Sequence, residues 1–195
     1  MSFAQGFYSF NLVINDLSRG LYATVRKKLA RHPHESLQQL YARVLAFMHS
    51  YEEGLELTGG PFEPKFPTAQ RVDPVEGTRI WVQIGCPSSD KIIRALKAHP
   101  SARFAIYFLE ESEVLRFCHY LRGARTNWVE RISFFKFDPG LLNSLAQIDK
   151  SSCSWTATIV DNHLYLVFDD REFESAVEVI DIWERFQQSL INSNP

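Results

Sequence analysis

Alternating apolar and polar positions near the start of the chain predict a β-hairpin. Residues 7–14 are rich in aromatic and β-branched side chains, and residues 15–20 supply a turn. An extended pattern resumes over residues 21–29, in which Thr24, Arg26 and Lys28 share one face. This arrangement is typical of two antiparallel strands with one side facing solvent.

A helical spacing replaces the alternation after Pro33. Residues 35–53 are predicted to form a helix, because their apolar positions recur at steps of three and four. The residues of this stripe are Leu37, Leu40, Tyr41, Val44, Leu45, Met48 and Tyr51. Residues 61–77 contain four prolines and are predicted to be mostly a loop, and loops of that length often carry function.

Strands and helices alternate through the second half of the chain. The predicted elements are strand 79–85, helix 90–98, strand 103–108, helix 111–122, strand 131–137 and helix 138–148. Such strand–helix–strand units usually make parallel strands joined by right-handed crossovers.

A second hairpin is predicted near the end, from residues 154–160 and 163–168. In the tail, residues 176–180 alternate like a strand, and residues 183–191 fit a short helix. The elements together predict a single α/β domain over residues 1–195, with one central mixed sheet flanked by helices and a β-hairpin at each end.

Composition narrows the class of protein. The 195 residues suit one domain, and 45% hydrophobic with 23% charged residues excludes a disordered chain. A net charge of −2 excludes a strongly basic nucleic-acid binder as a description of the whole chain, but leaves room for a local basic patch. The aromatic content of 13% favours an aromatic-rich sheet core.

Cysteine usage and hydropathy predict a cytoplasmic protein that does not associate with membranes. The three cysteines have no CxxC spacing, as expected in a reducing compartment. The first 20 residues lack the features of a signal peptide, and no apolar run approaches the length of a membrane span. The sequence also lacks GxGxxG, GxxxxGK[ST], HExxH and GxSxG motifs.

Three segments combine into a pattern that is specific as a whole. They are Ala30-Arg31-His32-Pro33 with Glu35, Arg43, Leu45, Ala46 and Glu53; Leu55, Thr58 and Gly60; and Trp81-Val82-Gln83-Ile84-Gly85-x-Pro87 with Lys91, Arg94 and Ala95. Together with residues 154–168, this pattern resembles the YaeQ family of small bacterial proteins over nearly the whole chain.

The resemblance implies a restriction-endonuclease-like fold related to the PD-(D/E)XK nucleases. In those enzymes a helix Glu, a strand Asp and a strand (Glu/Gln)-x-Lys converge on a divalent cation, which activates a bound water. Carried over to this sequence, the resemblance implies Glu53, Gln83 and Lys91 as catalytic residues. It also implies Mg²⁺ or Mn²⁺ held by Glu53, with Gln83 as a neutral ligand.

The motif itself is altered in this sequence. Gln83 offers no charge where the family usually has Glu or Asp, and the motif lysine would fall at Gly85. Lys91, one turn into the next helix, is in a position to reach back and replace that lysine.

Two further acids of the family pattern are also replaced. Arg79 and Phe66 stand at those positions, unless a shifted loop brings in Glu63-Pro64. Asp73 and Glu76 are other carboxylates in the loop. Because one firm carboxylate binds Mg²⁺ poorly, the sequence favours a retained fold with lost or altered chemistry over an active nuclease.

Three functions stay open at this point. The first is a catalytically degenerate nuclease fold that binds nucleic acid or another phosphorylated partner through Arg31, Arg43, Arg79 and Arg94. The second is an Mg²⁺- or Mn²⁺-dependent phosphodiesterase, and the third is a protein-interaction module that binds its partner through an aromatic-rich surface or through residues 61–77. The site residues also fit structural roles, with Glu53 as a solvated helix end, Gln83 as a core polar group and Lys91 as a surface lysine.

Overall fold

Two β-sheets pack around one helix, instead of the single central sheet that the sequence predicts. The architecture comes from a computed structural model, which describes residues 6–58, 66–121 and 128–191. Parallel pairing of Ser9 with Ser152, and of the residues that follow each, joins the two predicted hairpins into a sheet of their own. Because these partners lie 143 positions apart, no local pattern reveals the pairing.

Strands dominate both ends of the described chain, and strands and helices alternate through its middle. In chain order the elements are β1 Phe7–Asp16, β2 Leu21–Ala30, α1 Leu37–His49, β3 Glu56–Leu57, β4 Ala69–Asp73, β5 Gly77–Ile84, α2 Ser89–Ala98, β6 Arg103–Phe108, α3 Glu111–Leu121, β7 Ile132–Lys136, α4 Pro139–Ala146, β8 Ser152–Val160, β9 His163–Phe168, β10 Arg171–Ala176, β11 Glu178–Val179 and α5 Ile182–Ile191.

The two sheets differ in how their strands are connected. The first sheet has the order β10-β9-β8-β1-β2 and contains both predicted hairpins, which are confirmed. The second sheet has the order β11-β7-β6-β5-β4-β3. Its strands β5, β6 and β7 are parallel, as expected for units connected by α2 and α3.

Part of the predicted loop over residues 61–77 is a strand. Residues 69–73 form β4, which pairs antiparallel with β5, and the turn of this hairpin contains Pro74. The short length of β4 between Pro67 and Pro74 hid it among turn signals. Residues 59–65, which include the alternative Glu63-Pro64 pair, lie outside the described residues.

The helix α1 forms the centre of the main core. It begins with a capping box, in which Ser36 and Gln39 exchange side-chain and backbone hydrogen bonds. Residues 40–48 are all buried. The Tyr41 ring packs edge-on against Trp155 of the first sheet at 5.2 Å between ring centres, so α1 is fixed against that sheet.

The helix ends at His49, four residues before the predicted end at residue 53. Ser50 caps it, and the chain then turns at Gly54, whose φ of +85° favours glycine. Tyr51 lies beyond the end of the helix, but its ring still packs against Phe47, at 5.4 Å between ring centres. Both tail elements predicted near the end are present, as β11 and α5. No helix within the described ranges is long and apolar enough to cross a membrane.

Candidate functional site

The candidate site lies where β5 ends and the chain enters α2. Successive residues of β5 point to opposite sides of the second sheet, so Val82 and Ile84 pack toward α1 while Gln83 faces α2. Gln83 is only 4% exposed. Its Nε2 donates to Ile84 O at 2.9 Å, and its Oε1 accepts from Lys91 Nζ at 2.9 Å.

Lys91 reaches back to Gln83 from the first turn of α2. Ser88 caps this helix, and its Oγ accepts from Lys91 N at 3.3 Å. Lys91 Nζ also donates to Phe66 O at 2.9 Å and lies 6.0 Å from the centre of the Trp81 ring. Burial lowers the pKa of the Lys91 ammonium below its usual value. Both acceptors of its hydrogen bonds, the Gln83 amide oxygen and the Phe66 carbonyl oxygen, are neutral.

An ammonium has three N–H donors, and the described residues accept two of those from Lys91. Lys91 also takes part in none of the ion pairs found among the described residues. The third donor and the positive charge are thus available to a ligand. This combination sets Lys91 apart from the ion-paired cations of the molecule.

The backbone conformation at Gly85 explains why the lysine of this site is on α2 and not at residue 85. Gly85 has a φ of +73°, which L side chains rarely adopt. A Cβ there would lie 3.3 Å from Glu113 Oε1. A lysine at this position, as in the nuclease motif, would therefore be strained and crowded, whereas Lys91 reaches the same region without strain.

Glu113 is a site residue that sequence reasoning missed. It lies in the first turn of α3, and its Oε2 accepts from Leu109 N at 2.7 Å. Burial raises the pKa of the Glu113 carboxyl. In the sequence this residue is one of several acids at the start of a predicted helix, so no local signal connects it with Gln83.

Lys91 forms the wall between two cavities. The smaller one, the Gln83 pocket, has a volume of about 320 Å³ and is lined by Gln39, Gln83, Ile84, Gly85, Cys86, Pro87, Ser88, Lys91, Leu109 and Glu113. The larger one, the α2 groove, has a volume of about 600 Å³ and is lined by Phe66, Pro67, Gln70, Val72, Thr78, Trp81, Lys91, Arg94, Ala95, Ala98 and His99.

The α2 groove combines cations with an apolar surface. Arg94 follows Lys91 by three residues, so both side chains lie on one face of α2. Arg94 Nε donates to Asp90 O at 3.2 Å, and the rest of its guanidinium is exposed. Phe66, which is 46% exposed, and the exposed side chain of Val72 supply the apolar part.

Glu53 is not brought to Gln83 and Lys91. It lies exposed in the turn that follows α1, and it lines neither cavity beside Lys91. Gln39, at the opposite end of α1, does line the Gln83 pocket. The helix from Gln39 to His49 alone is about 15 Å long.

The residues present do not fit a divalent metal at Gln83. Its Oε1 already accepts from a cationic group, which would repel a second cation. Within the described ranges, no group of three or more His, Cys, Asp or Glu side chains is placed to hold a metal ion. Asp73 instead caps its own turn, where its Oδ1 accepts from Val75 N and Glu76 N.

The four arginines proposed to bind phosphate do not form one patch. Arg43 is 1% exposed and pairs with buried Glu35 at 2.9 Å, so solvent does not reach it. Arg79 pairs with Glu76 at 2.6 Å, and Arg31 lies against the Tyr8 ring just after β2. Arg94 alone lines a cavity together with Lys91.

A further cavity, of about 320 Å³, lies between the two sheets at the end of α1. His49 Nδ1 and Ser50 Oγ each lie 2.7 Å from Tyr107 Oη. Burial lowers the pKa of His49 to about 4, although a hydrogen bond with the Asn162 side chain opposes the shift. His49 is therefore a neutral imidazole that joins α1 to both sheets. Sequence reasoning missed it because it is the last residue of a core helix.

Comparisons with known proteins agree with the pattern of motifs. The chain matches the family model described as YaeQ protein over residues 1–177. A curated relative from Salmonella typhi, named Uncharacterized protein YaeQ, is 25% identical over 168 residues, which cover 80% of this chain and 86% of the relative. The protein of the same name from Escherichia coli K12 is 23% identical over 183 residues, covering 89% and 94%.

Two solved structures have a similar fold. The crystal structure of YaeQ protein from Pseudomonas syringae has a TM-score of 0.78 at 18% identity, over 90% of this chain and 96% of that one. The crystal structure of YaeQ protein from Xanthomonas axonopodis pv. citri has a TM-score of 0.80 at 20% identity, over 90% and 98%. The mixed sheets flanked by helices are therefore shared with these proteins.

Proposed function

The chain belongs to the YaeQ family, and we propose that this member binds the phosphates of a nucleic acid in the α2 groove without cleaving them. The observation that carries the proposal is Lys91, a half-buried ammonium held by two neutral oxygens and by no carboxylate among the described residues. No charge of the described residues compensates it. A phosphate oxygen is the ligand that would compensate it.

In this proposal, the fold is related to that of the PD-(D/E)XK nucleases, and the ammonium of Lys91 takes the place of the metal ion. Gln83 occupies the strand position of the motif acid, and Lys91 Nζ rests on its amide oxygen. An ammonium can hold and orient a phosphate, but it does not lower the pKa of an attacking water as a divalent metal does. Binding is thus retained in this proposal, and hydrolysis is lost.

The composition of the groove favours a nucleic acid over a free phosphate. Lys91 and Arg94 offer two cations on one helix face, and the exposed apolar side chains of Phe66 and Val72 lie beside them. A chain of phosphates with attached sugars and bases can use both parts of this surface, whereas an inorganic ion can use only the first. Few cations are present, so affinity will be modest and salt-dependent.

Fluorescence anisotropy with labelled single- and double-stranded oligonucleotides tests this proposal, in EDTA and then in Mg²⁺ or Mn²⁺. We expect wild-type binding that weakens as salt rises from about 50 mM to about 200 mM, and binding roughly tenfold weaker for Lys91→Gln with a salt slope smaller by about one. Lys97→Gln, an exposed lysine near the end of α2, is the matched control.

Other outcomes would assign the protein to the remaining functions. Equal affinities for Lys91→Gln and Lys97→Gln would place any binding site elsewhere and contradict the proposal. Cleavage that requires Mn²⁺ and disappears in Glu53→Ala would support the metal-dependent nuclease. If no oligonucleotide binds at low salt, and a stoichiometric protein partner is captured after nuclease treatment, the interaction module would be the better description.

A further inference from the structure

Within the part of the chain that the structure describes, the first sheet ends in two open edges of opposite charge. β2 is the last strand on one side and β10 the last on the other. On the solvent-facing side of the sheet, β2 carries Arg26 and Lys28, and β10 carries Glu172 and Glu174. Since an edge strand presents unpaired backbone groups, each edge is a template for another strand.

The outward backbone groups of β2 follow from its pairing with β1. Arg31 N donates to Gly6 O at 3.0 Å, directly next to the antiparallel register of the two strands. Alternate residues of an antiparallel pair exchange hydrogen bonds, and the residues between them do not. Thr24, Arg26 and Lys28 are of the second kind, so their N–H and C=O groups point away from β1.

The same reasoning applies to β10. Val177 N donates to Asn162 O at 2.7 Å, directly next to the antiparallel register of β9 and β10. Glu172, Glu174 and Ala176 therefore turn their backbone groups away from β9. On both edges, the residues with outward backbone groups are also those whose side chains face solvent.

The strand directions match as well. β1 and β8 are parallel, β9 is antiparallel to β8, and β10 is antiparallel to β9. β10 thus runs antiparallel to β2, which is itself antiparallel to β1. A second copy displaced along the sheet would present its β10 antiparallel to β2, with the same face of both sheets toward solvent.

We infer that β2 of one copy of the protein pairs with β10 of a second copy. In the register that uses every outward group, Thr24 lies opposite Ala176, Arg26 opposite Glu174 and Lys28 opposite Glu172. Each pair exchanges two backbone hydrogen bonds, and two of the three bring opposite charges face to face. Glu174, which pairs with His163 at 2.9 Å in its own copy, exchanges that contact for Arg26.

Charge also excludes the other combinations of edges. Two β2 strands would set cations against cations, and two β10 strands would set carboxylates against carboxylates. The interface is therefore head-to-tail, and each added copy leaves one edge of each kind open. Association does not stop at a dimer, and its extent grows with concentration and falls with salt.

Sedimentation velocity of the full chain over about 10 µM to about 1 mM, at low and high salt, measures this association. We expect larger species at high concentration in low salt. Arg26→Glu/Lys28→Glu and Glu172→Lys/Glu174→Lys should each remain monomeric, because each has like charges on both edges. A 1:1 mixture of the two variants should associate again, because each supplies the edge that the other lacks.

A backbone variant separates strand pairing from charge attraction. Thr24→Pro removes an outward N–H without removing a hydrogen bond to β1, so it should reduce association while the hairpin stays intact. A wild-type protein that stays monomeric at about 1 mM in low salt would overturn the inference. Association that persists in both charge variants, or a mixture that stays monomeric, would overturn it equally.

Discussion

The guanidinium of Arg43 is buried and the side chain of Lys91 is half-buried, and their partners differ. Arg43 is paired with Glu35, whose two oxygens lie 2.9 and 3.0 Å from Nη1. Among the described residues, Lys91 Nζ donates to the oxygens of Gln83 and Phe66 and meets no carboxylate. Because Glu35 compensates Arg43, removing either partner of this buried pair would be strongly destabilising, whereas an uncompensated charge is costly until a ligand shares it. The proposed ligand binding is therefore assigned to Lys91 and not to Arg43.

Gln83→Glu tests this distinction directly. A carboxylate at this position would compensate Lys91 and raise the pKa of its ammonium, so oligonucleotide affinity should fall by roughly tenfold while thermal stability stays equal or rises. Anisotropy and thermal melting measure the two quantities. Gln188→Glu, on exposed α5, makes the same change in net charge and should leave affinity nearly unchanged. Tighter binding in Gln83→Glu would contradict the proposal.

Individual residues were predictable from the sequence only where a motif marked them. The motif and the position of Lys91 one turn into the next helix predict that its side chain reaches back toward β5, and its Nζ lies 2.9 Å from Gln83 Oε1. Glu113 could not be found this way, because its place beside Gly85 depends on how α3 packs. Arg43 was assigned to phosphate binding because sequence shows charge but not burial.

The elements follow their local patterns closely where those patterns are long. β6 begins and ends at the predicted residues 103 and 108, and both terminal hairpins are present. β4 was missed because its five residues stand between prolines. The number of sheets could not be read from the sequence either, because a strand pattern records which face is buried but not which distant strand lies beside it.

The turn between β5 and α2 provides a test at this scale. Gly85→Ala should destabilise the protein by about 1–3 kcal/mol, because the residue has φ +73° and its new Cβ would lie 3.3 Å from Glu113 Oε1. Gly20→Ala is the matched control, since its φ of +62° gives similar strain with no atom within 4 Å. Urea denaturation should show the larger loss for Gly85→Ala. Equal losses would mean that the contact with Glu113 contributes nothing.

At the scale of the whole molecule, His49 connects the two sheets at the end of α1. This residue lies at the end of α1, beside Tyr107 of the second sheet and Asn162 of the β8–β9 turn in the first. Burial keeps its imidazole neutral in the folded protein. The free energy of unfolding is therefore linked to the protonation of His49.

The pKa of His49 predicts how stability depends on pH. It is about 4 in the folded protein against the usual value of 6.5 for a histidine, so the unfolded chain binds the proton more tightly between these values. The free energy of unfolding should fall by roughly 3 kcal/mol as the pH drops from 7 to 4. His49→Gln should flatten this part of the profile, whereas His34→Gln, an exposed residue, should not. Urea denaturation at several pH values measures the curve, and identical profiles for wild type and His49→Gln would contradict the assignment.

The parallel pairing of β1 with β8 has a consequence during synthesis on the ribosome. The N-terminal hairpin emerges early, yet the strand that covers the inner edge of β1 begins only at Ser152. At about 5–20 residues per second, that edge waits on the order of ten seconds for its partner. Throughout this interval the nascent chain carries an unfinished sheet whose apolar side, including Leu12 and Ile14, has no complete core to enter. Protection of the nascent hairpin, by a chaperone or by α1 folding onto it, is thus a requirement set by the order of the strands.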